Sequence, residues 1–270
     1  MSAGDPGPRT LGVSLKMYFT HERTVRWCTE VAELAARHPA VTSGAARLFV
    51  LPSFVSIPAA VRCFAGTGVA VGAQDVCWAD EGAFTGEVSG GQLRELGCAY
   101  VAVGHAERRR LFGETEEVVA AKVAAALRHG LEPVVCVGEP ARGDPVRAAR
   151  CCLDELDSAL RPARAAGLTG AVTVAYEPHW AIGATGPAPA GHVRTVCAAL
   201  RAHTAADPAF DVRVVYGGTA GAGLLSRLGG DAHGLFLGRR AHDPSGLAAV
   251  LDEVSTRPAG RGPITPDTFW

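Results

Sequence analysis

The sequence has no excess of charge of either sign, since 26 lysines and arginines face 27 aspartates and glutamates. No global field draws the chain to nucleic acid or to an anionic membrane, so an anionic ligand has to be held by a local cluster. Long apolar runs are also missing. Glycine or charge breaks each one well short of the about 20 residues needed to cross a bilayer. The opening Met1-Ser-Ala-Gly-Asp-Pro-Gly-Pro-Arg9 lacks the apolar core of a signal peptide, and a cytoplasmic location is expected. None of the eight cysteines forms a Cys-x-x-Cys pair, and Cys63, Cys98, Cys136 and Cys197 sit in apolar or amphipathic runs. They read as free thiols of a reducing compartment, packed as small core residues. No Gly-x-Gly-x-x-Gly follows the first apolar segment, which argues against a dinucleotide oxidoreductase. The nine histidines show no paired ligand spacing, so neither metal nor cofactor is expected.

What is present is an alternation. Short β-rich runs occur at Leu11–Lys16, Leu48–Leu51, Gly68–Gly72, Tyr100–Val103, Pro133–Val137, Val172–Tyr176, Val212–Tyr216 and Gly234–Leu237. Several are continuously apolar, as strands buried on both faces are. Helical stretches lie between them. Thr20–Arg37 carries Val25, Cys28, Val31, Leu34 and Ala35 on one face, and Glu116–His129 carries Val119, Val123 and Leu127, with Gly130 as its stop. Pro145–Ala165 and Ala190–His203 follow, then weaker stretches after Ala220 and Pro244. Eight such units over roughly 250 residues predict an α/β protein, a single (β/α)₈ barrel, with an open doubly wound sheet as the alternative. No linker divides the chain. One barrel domain is expected over residues 10–255, with loose tails at 1–9 and 256–270.

Active sites of such barrels lie at the C-terminal ends of the strands. Lys16 ends the first strand-like run, Gly104-His-Ala-Glu-Arg-Arg109 follows the fourth, and Tyr176-Glu-Pro-His-Trp-Ala-Ile-Gly183 follows the sixth. Gly217-Gly-Thr219 and Gly238-Arg239 come after the last two. A carboxylate can take a proton next to a carbonyl, an imidazole can polarise that carbonyl, and a lysine can hold negative charge. Glycine-containing turns can present N–H groups to a phosphate. Taken singly, Lys16 could be a solvated strand end, His105 a satisfied core histidine and Glu177 a turn cap. Their joint arrival on one face is what points to chemistry.

The segments Gly72-Ala-Gln-Asp75, Gly82-Ala-Phe-Thr-Gly-Glu-Val-Ser89, Gly104-His-Ala-Glu-Arg-Arg109, Phe112-Gly-Glu-Thr115, Val135-Cys-Val-Gly-Glu139, Ala175-Tyr-Glu-Pro178, Trp180-Ala-Ile-Gly183 and Tyr216-Gly-Gly218 occur in this order. Together they resemble the triosephosphate isomerase family, paralogues included, over about Leu11 to Val254. The resemblance implies Glu177 as the base, a neutral His105 as the electrophile and Lys16 as the fixed positive charge, an arrangement established for that enzyme. It makes Glu107 a second carboxylate near the site. It assigns substrate or phosphate contacts to Ser14, Gly183, Gly217, Gly218, Thr219, Gly238 and Arg239, and a lid to Glu177 through about Ala188. It also implies a homodimer in which Thr85, on the loop after the third strand, reaches the partner's site. The substrate is a small phosphorylated sugar. The first reading is interconversion of dihydroxyacetone phosphate and glyceraldehyde 3-phosphate through a cis-enediolate, a glycolytic role.

Departures from the family pattern suggest a second reading. Ser14 stands where the family has asparagine, Ala106 where it has serine, Arg239 where the phosphate turn has glycine, and His233 where it has aspartate. The lid ends Gly183-Ala-Thr-Gly-Pro-Ala188, with Pro187 fixing one φ angle. These features resemble the paralogues that isomerise four-carbon ketose phosphates such as L-erythrulose 1-phosphate. A barrel that only binds a phosphate ligand is a third reading, against which the intact Lys16, His105 and Glu177 stand.

Overall fold

A computed structural model describes residues 7–256, so most of the two expected tails lies outside the described residues. Eight parallel strands, β1 (Arg9–Ser14), β2 (Ala46–Leu51), β3 (Val69–Ala73), β4 (Tyr100–Val103), β5 (Glu132–Val137), β6 (Gly170–Tyr176), β7 (Phe210–Tyr216) and β8 (Gly234–Leu237), form a closed barrel in sequence order. β1 closes onto β8 with Thr10 opposite Gly234 and Val13 opposite Leu237. That closure excludes the open doubly wound sheet.

The helices are α1 (His21–Arg37), α2 (Pro39–Thr42), α3 (Ile57–Phe64), α4 (Gly90–Glu95), α5 (Ala106–Phe112), α6 (Glu116–Arg128), α7 (Pro145–Ala165), α8 (Ala190–Thr204), α9 (Leu224–Leu228) and α10 (Pro244–Ser255). Local chemistry sets their ends. The Thr20 hydroxyl accepts the Arg23 N–H at 3.2 Å to cap α1, and Asp144 caps α7 ahead of Pro145 at its first turn. Gly130 takes φ +67° after α6, the left-handed turn its position predicts. The buried stripe of α1 runs through Trp27, Cys28, Val31, Ala32 and Ala35, while Val25 and Leu34 are only half-buried at its margin. All eight cysteines are free.

Apolar burial falls into two regions. One lies between the strands and the surrounding helices, and the other fills the barrel lumen. In the lumen Phe49 stacks on Tyr100 with ring centroids 4.3 Å apart, and Phe236 lies 6.1 Å from Phe49. Gly12 makes room for this layer: a Cβ there would meet Phe49 at 2.2 Å and Phe236 at 2.7 Å. Phe236 also reaches the cavity above, so the aromatic layer forms the floor of the site.

Candidate active site

At the C-terminal end of the barrel opens a cavity of about 370 Å³ lined by Ser14, Lys16, Tyr18, His105, Glu107, Glu177, Gly183, Gly218, Thr219, Gly238 and Arg239, among others. Strand β1 ends at Ser14 rather than at Lys16 as read from the sequence. Lys16 follows two residues later with φ +47°, the sole positive φ outside glycine among the described residues. The Gln74 side-chain amide donates to the Lys16 carbonyl at 3.0 Å and to that of Leu51 at 2.9 Å, fixing this uncommon backbone. Its ammonium, thereby aimed inward, sits 2.7 Å from Glu107 Oε1. Burial alone would raise the Glu107 pKa, but the Lys16 hydrogen bond and charge hold it below the usual carboxylate value.

His105 caps α5, its Nδ1 accepting the Glu107 N–H at 3.1 Å. A ring nitrogen that accepts cannot carry a proton, so the imidazole is neutral with its proton on Nε2. That Nε2 lies 3.4 Å from Glu177 Oε2. Glu177 is 6 % exposed, and this same oxygen has no hydrogen-bond partner within normal distance. A buried carboxylate oxygen left unpaired beside an Nε2–H is placed to take a proton from carbon. Beneath it Cys136 faces the lumen; burial first, then the charge of Glu177, pushes its thiol well above the ordinary range.

The N–H groups of Gly183, Thr219 and Arg239 donate to no other group of the described chain. Arg239 and Arg240 also line the cavity, so its wall combines free N–H donors with positively charged residues, a combination suited to an anion. Without those two arginines, the Glu107 and Glu177 carboxylates would outnumber Lys16 in the cavity. The Thr219 hydroxyl is engaged with the lid, donating to the Ala184 carbonyl at 2.9 Å. The far end of the lid is tied by the Ala188 N–H, which donates to the Tyr216 hydroxyl at 3.0 Å.

One expected contact changes. Gly217 does not line the cavity; it makes space for the carboxylate, since a Cβ on it would lie 2.4 Å from Glu177 Cγ and 2.5 Å from Oε1. Gly217→Ala is therefore expected to push Glu177 out of register and lower kcat about 10²-fold while the fold persists, which steady-state kinetics beside circular dichroism would show. Ala106 and His233 are not at the cavity wall either. His233 precedes β8 at the opposite end of the barrel, where Nδ1 accepts the Val214 N–H at 2.8 Å; burial lowers its pKa to about 4. Thr85 sits on the exposed loop after β3, away from this chain's own cavity. Conversely Tyr18, Ile182, Arg240 and His242 line the cavity although sequence reasoning did not single them out. Arg240 and His242 follow the eighth strand-like run within five residues of its end, so reading each strand end further along would have found them. Among the described residues no cluster of three or more His, Cys, Asp or Glu is placed to hold a metal, and no helix is long and apolar enough to cross a membrane.

Comparison with known proteins agrees with this geometry. The family model described as triosephosphate isomerase matches residues 9–254. An L-erythrulose-1-phosphate isomerase of Pectobacterium atrosepticum is 53 % identical over 248 residues, covering 92 % of this chain and 96 % of that protein. A triosephosphate isomerase of Moorella thermoacetica is 38 % identical over 79 % of this chain and 88 % of its own length. An L-erythrulose-1-phosphate isomerase of Brucella abortus is 37 % identical over 92 % of this chain and 96 % of its own.

Proposed function

The chain belongs to the triosephosphate isomerase family, and from that premise we propose that it isomerises a four-carbon ketose phosphate of the L-erythrulose 1-phosphate type. The observation that carries this reading over triose interconversion is the 53 % identity to a relative of that name, against 38 % to a triosephosphate isomerase. The changed wall agrees with it, since Ser14 and Arg239 both line the cavity.

The chemistry follows from the substrate's bonds. L-Erythrulose 1-phosphate has its carbonyl at C2, its phosphate on C1 and a CHOH group at C3. Glu177 removes the C3 proton, and the electron pair moves into the C2–C3 bond. The negative charge on the carbonyl oxygen is met by His105 Nε2–H and the Lys16 ammonium. Glu177 returns the proton to C2 as the C3 hydroxyl passes its own to the C2 oxyanion, and the carbonyl has moved from C2 to C3. Atoms and electrons balance without a cofactor. Relative to a triose, C3 bears an extra CH₂OH, and the short Ser14 side chain leaves room for it where the family pattern has asparagine. The phosphate is held by the Gly183, Thr219 and Arg239 N–H groups and by the two arginines, while residues 177–188 close over the intermediate.

The test is kcat/KM on L-erythrulose 1-phosphate beside glyceraldehyde 3-phosphate. Strong turnover of the tetrulose with weak turnover of the triose supports the proposal. Triose turnover near the diffusional ceiling of about 10⁸ M⁻¹s⁻¹ returns the chain to the glycolytic reading, and silence on both favours the binding barrel. Ser14→Asn is expected to move the ratio of the two kcat/KM values about tenfold toward the triose.

We further read the chain as a cytoplasmic homodimer. Trp78 and Phe84, edge to face at 5.7 Å, leave an apolar surface on the loop that carries Thr85, and Met17 is almost fully exposed beyond Lys16. Sedimentation at micromolar concentration is expected to give twice the chain mass; a monomer there would refute it.

A further inference from the structure

Glu139, on the loop after β5, is 4 % exposed and gathers donors from both ends of the lid. The Tyr176 hydroxyl donates to it at 3.1 and 3.2 Å. The Trp180 indole Nε1–H, three residues into the lid, donates to its Oε1 at 2.8 Å. His192 Nε2, in the first turn of α8 and just past the lid's other end, lies 2.9 Å from the same oxygen. An ionised carboxylate only accepts, so His192 is the donor. The two rings also touch edge to face, with centroids 5.6 Å apart at 87°, and the Arg142 guanidinium lies 5.6 Å from the centre of the Trp180 ring. One buried oxygen thus joins Trp180, near the start of the lid, to the helix that follows it. None of these groups lines the substrate cavity.

We propose that His192 is a positioning residue for lid closure. Through Glu139 it locks both hinges in the closed register, and it acts after substrate is bound, during the life of the enediolate. Closure matters then because the enediolate can decompose. Once deprotonated, the oxygen on C3, the carbon remote from the phosphate, can form a carbonyl there while the C2=C3 pair shifts to C1–C2, breaking the C1–O bond to phosphate. The enol left behind takes a proton on carbon and loses its hydroxyl proton, so the substrate becomes a dicarbonyl plus inorganic phosphate. A closed lid that fixes the phosphate out of the plane of the enediolate suppresses this loss. The inference rests on the isomerase reading of the site but not on which of the two sugar phosphates is the substrate.

The experiment compares wild type, His192→Leu and His192→Gln on whichever of the two phosphates the wild type turns over faster. It measures kcat, KM and the ratio of phosphate released to isomer formed. His192→Leu is expected to lower kcat about tenfold and raise the release ratio about tenfold, with KM changed less than about threefold. His192→Gln, whose amide can still donate to Glu139, is expected to recover most of both. An unchanged release ratio in His192→Leu overturns the proposal. So does a His192→Gln variant as impaired as His192→Leu with a matching fall in Tm, which would make the residue merely structural. The substrate assignment is judged separately, by the wild-type rates alone.

Discussion

Glu177→Gln is expected to lower kcat about 10³-fold, the range a positioned general base supplies. That loss corresponds to about 4 kcal/mol of transition-state stabilisation. The amide keeps the length of the side chain, its packing against Gly217 and its approach to His105, so ground-state binding is preserved and KM is expected to move little. Stability should not fall with activity. The wild-type carboxylate is buried with one oxygen unpaired, an arrangement that costs folding free energy, and a neutral amide relieves that cost. A variant inactive but at least as stable as wild type is therefore the expected pair of results, read from kinetics and thermal unfolding. Unchanged turnover would remove Glu177 from the mechanism, and a large drop in Tm would mean that the side chain holds the barrel together instead.

The strands were legible because a parallel barrel buries both faces, which writes them as apolar runs, and β4 and β8 coincide with their predicted spans. The long helices were legible through period and caps, and α7 begins and ends where its Pro145 start and apolar spacing place it. Short helices α3, α4 and α5 were not, since fewer than three turns give too little periodicity to count. Within the site, residue type just after a strand-like run pointed to Lys16, His105 and Glu177, and the structure brings the three to one cavity. What the sequence could not show was direction. Gly217 was read as a phosphate turn although it faces the carboxylate, and His233 lies one residue before β8, which puts it at the barrel's other end. Nor could composition reveal that Glu139 draws together Trp180 and His192, because that meeting exists only once β5, β6 and α8 are packed.

The same blindness applies to Lys122, which sits on the apolar face of α6 and is 2 % exposed. Its ammonium lies 2.7 Å from Asp75 and 2.5 Å from Glu114, and Arg108 of α5 closes the square at 2.7 and 2.6 Å to the same two carboxylates. Two cations and two anions balance, with Lys122, Asp75 and Glu114 buried and Arg108 partly exposed. Lys122→Met fills the volume but leaves two buried carboxylates to one arginine, and is expected to cost about 3–5 kcal/mol. For a domain of this size that is a fall in Tm of about 10 °C. The sign of its pH dependence follows from linkage. Burial already raises the Asp75 pKa despite Lys122, whereas the Lys122 and Arg108 hydrogen bonds outweigh burial and hold that of Glu114 down. Removing the lysine raises both, so the folded variant takes up protons more readily than folded wild type as pH falls. Its deficit against wild type is therefore expected to be smaller at pH 5 than at pH 8, when Tm is measured at both. Adding Asp75→Asn to Lys122→Met restores the charge balance and should recover part of the loss at pH 8. A Lys122→Met deficit that did not vary with pH would mean that the lysine acts by filling space. In that case α5, and with it His105 at its cap, would be held by packing rather than by this ion-paired square.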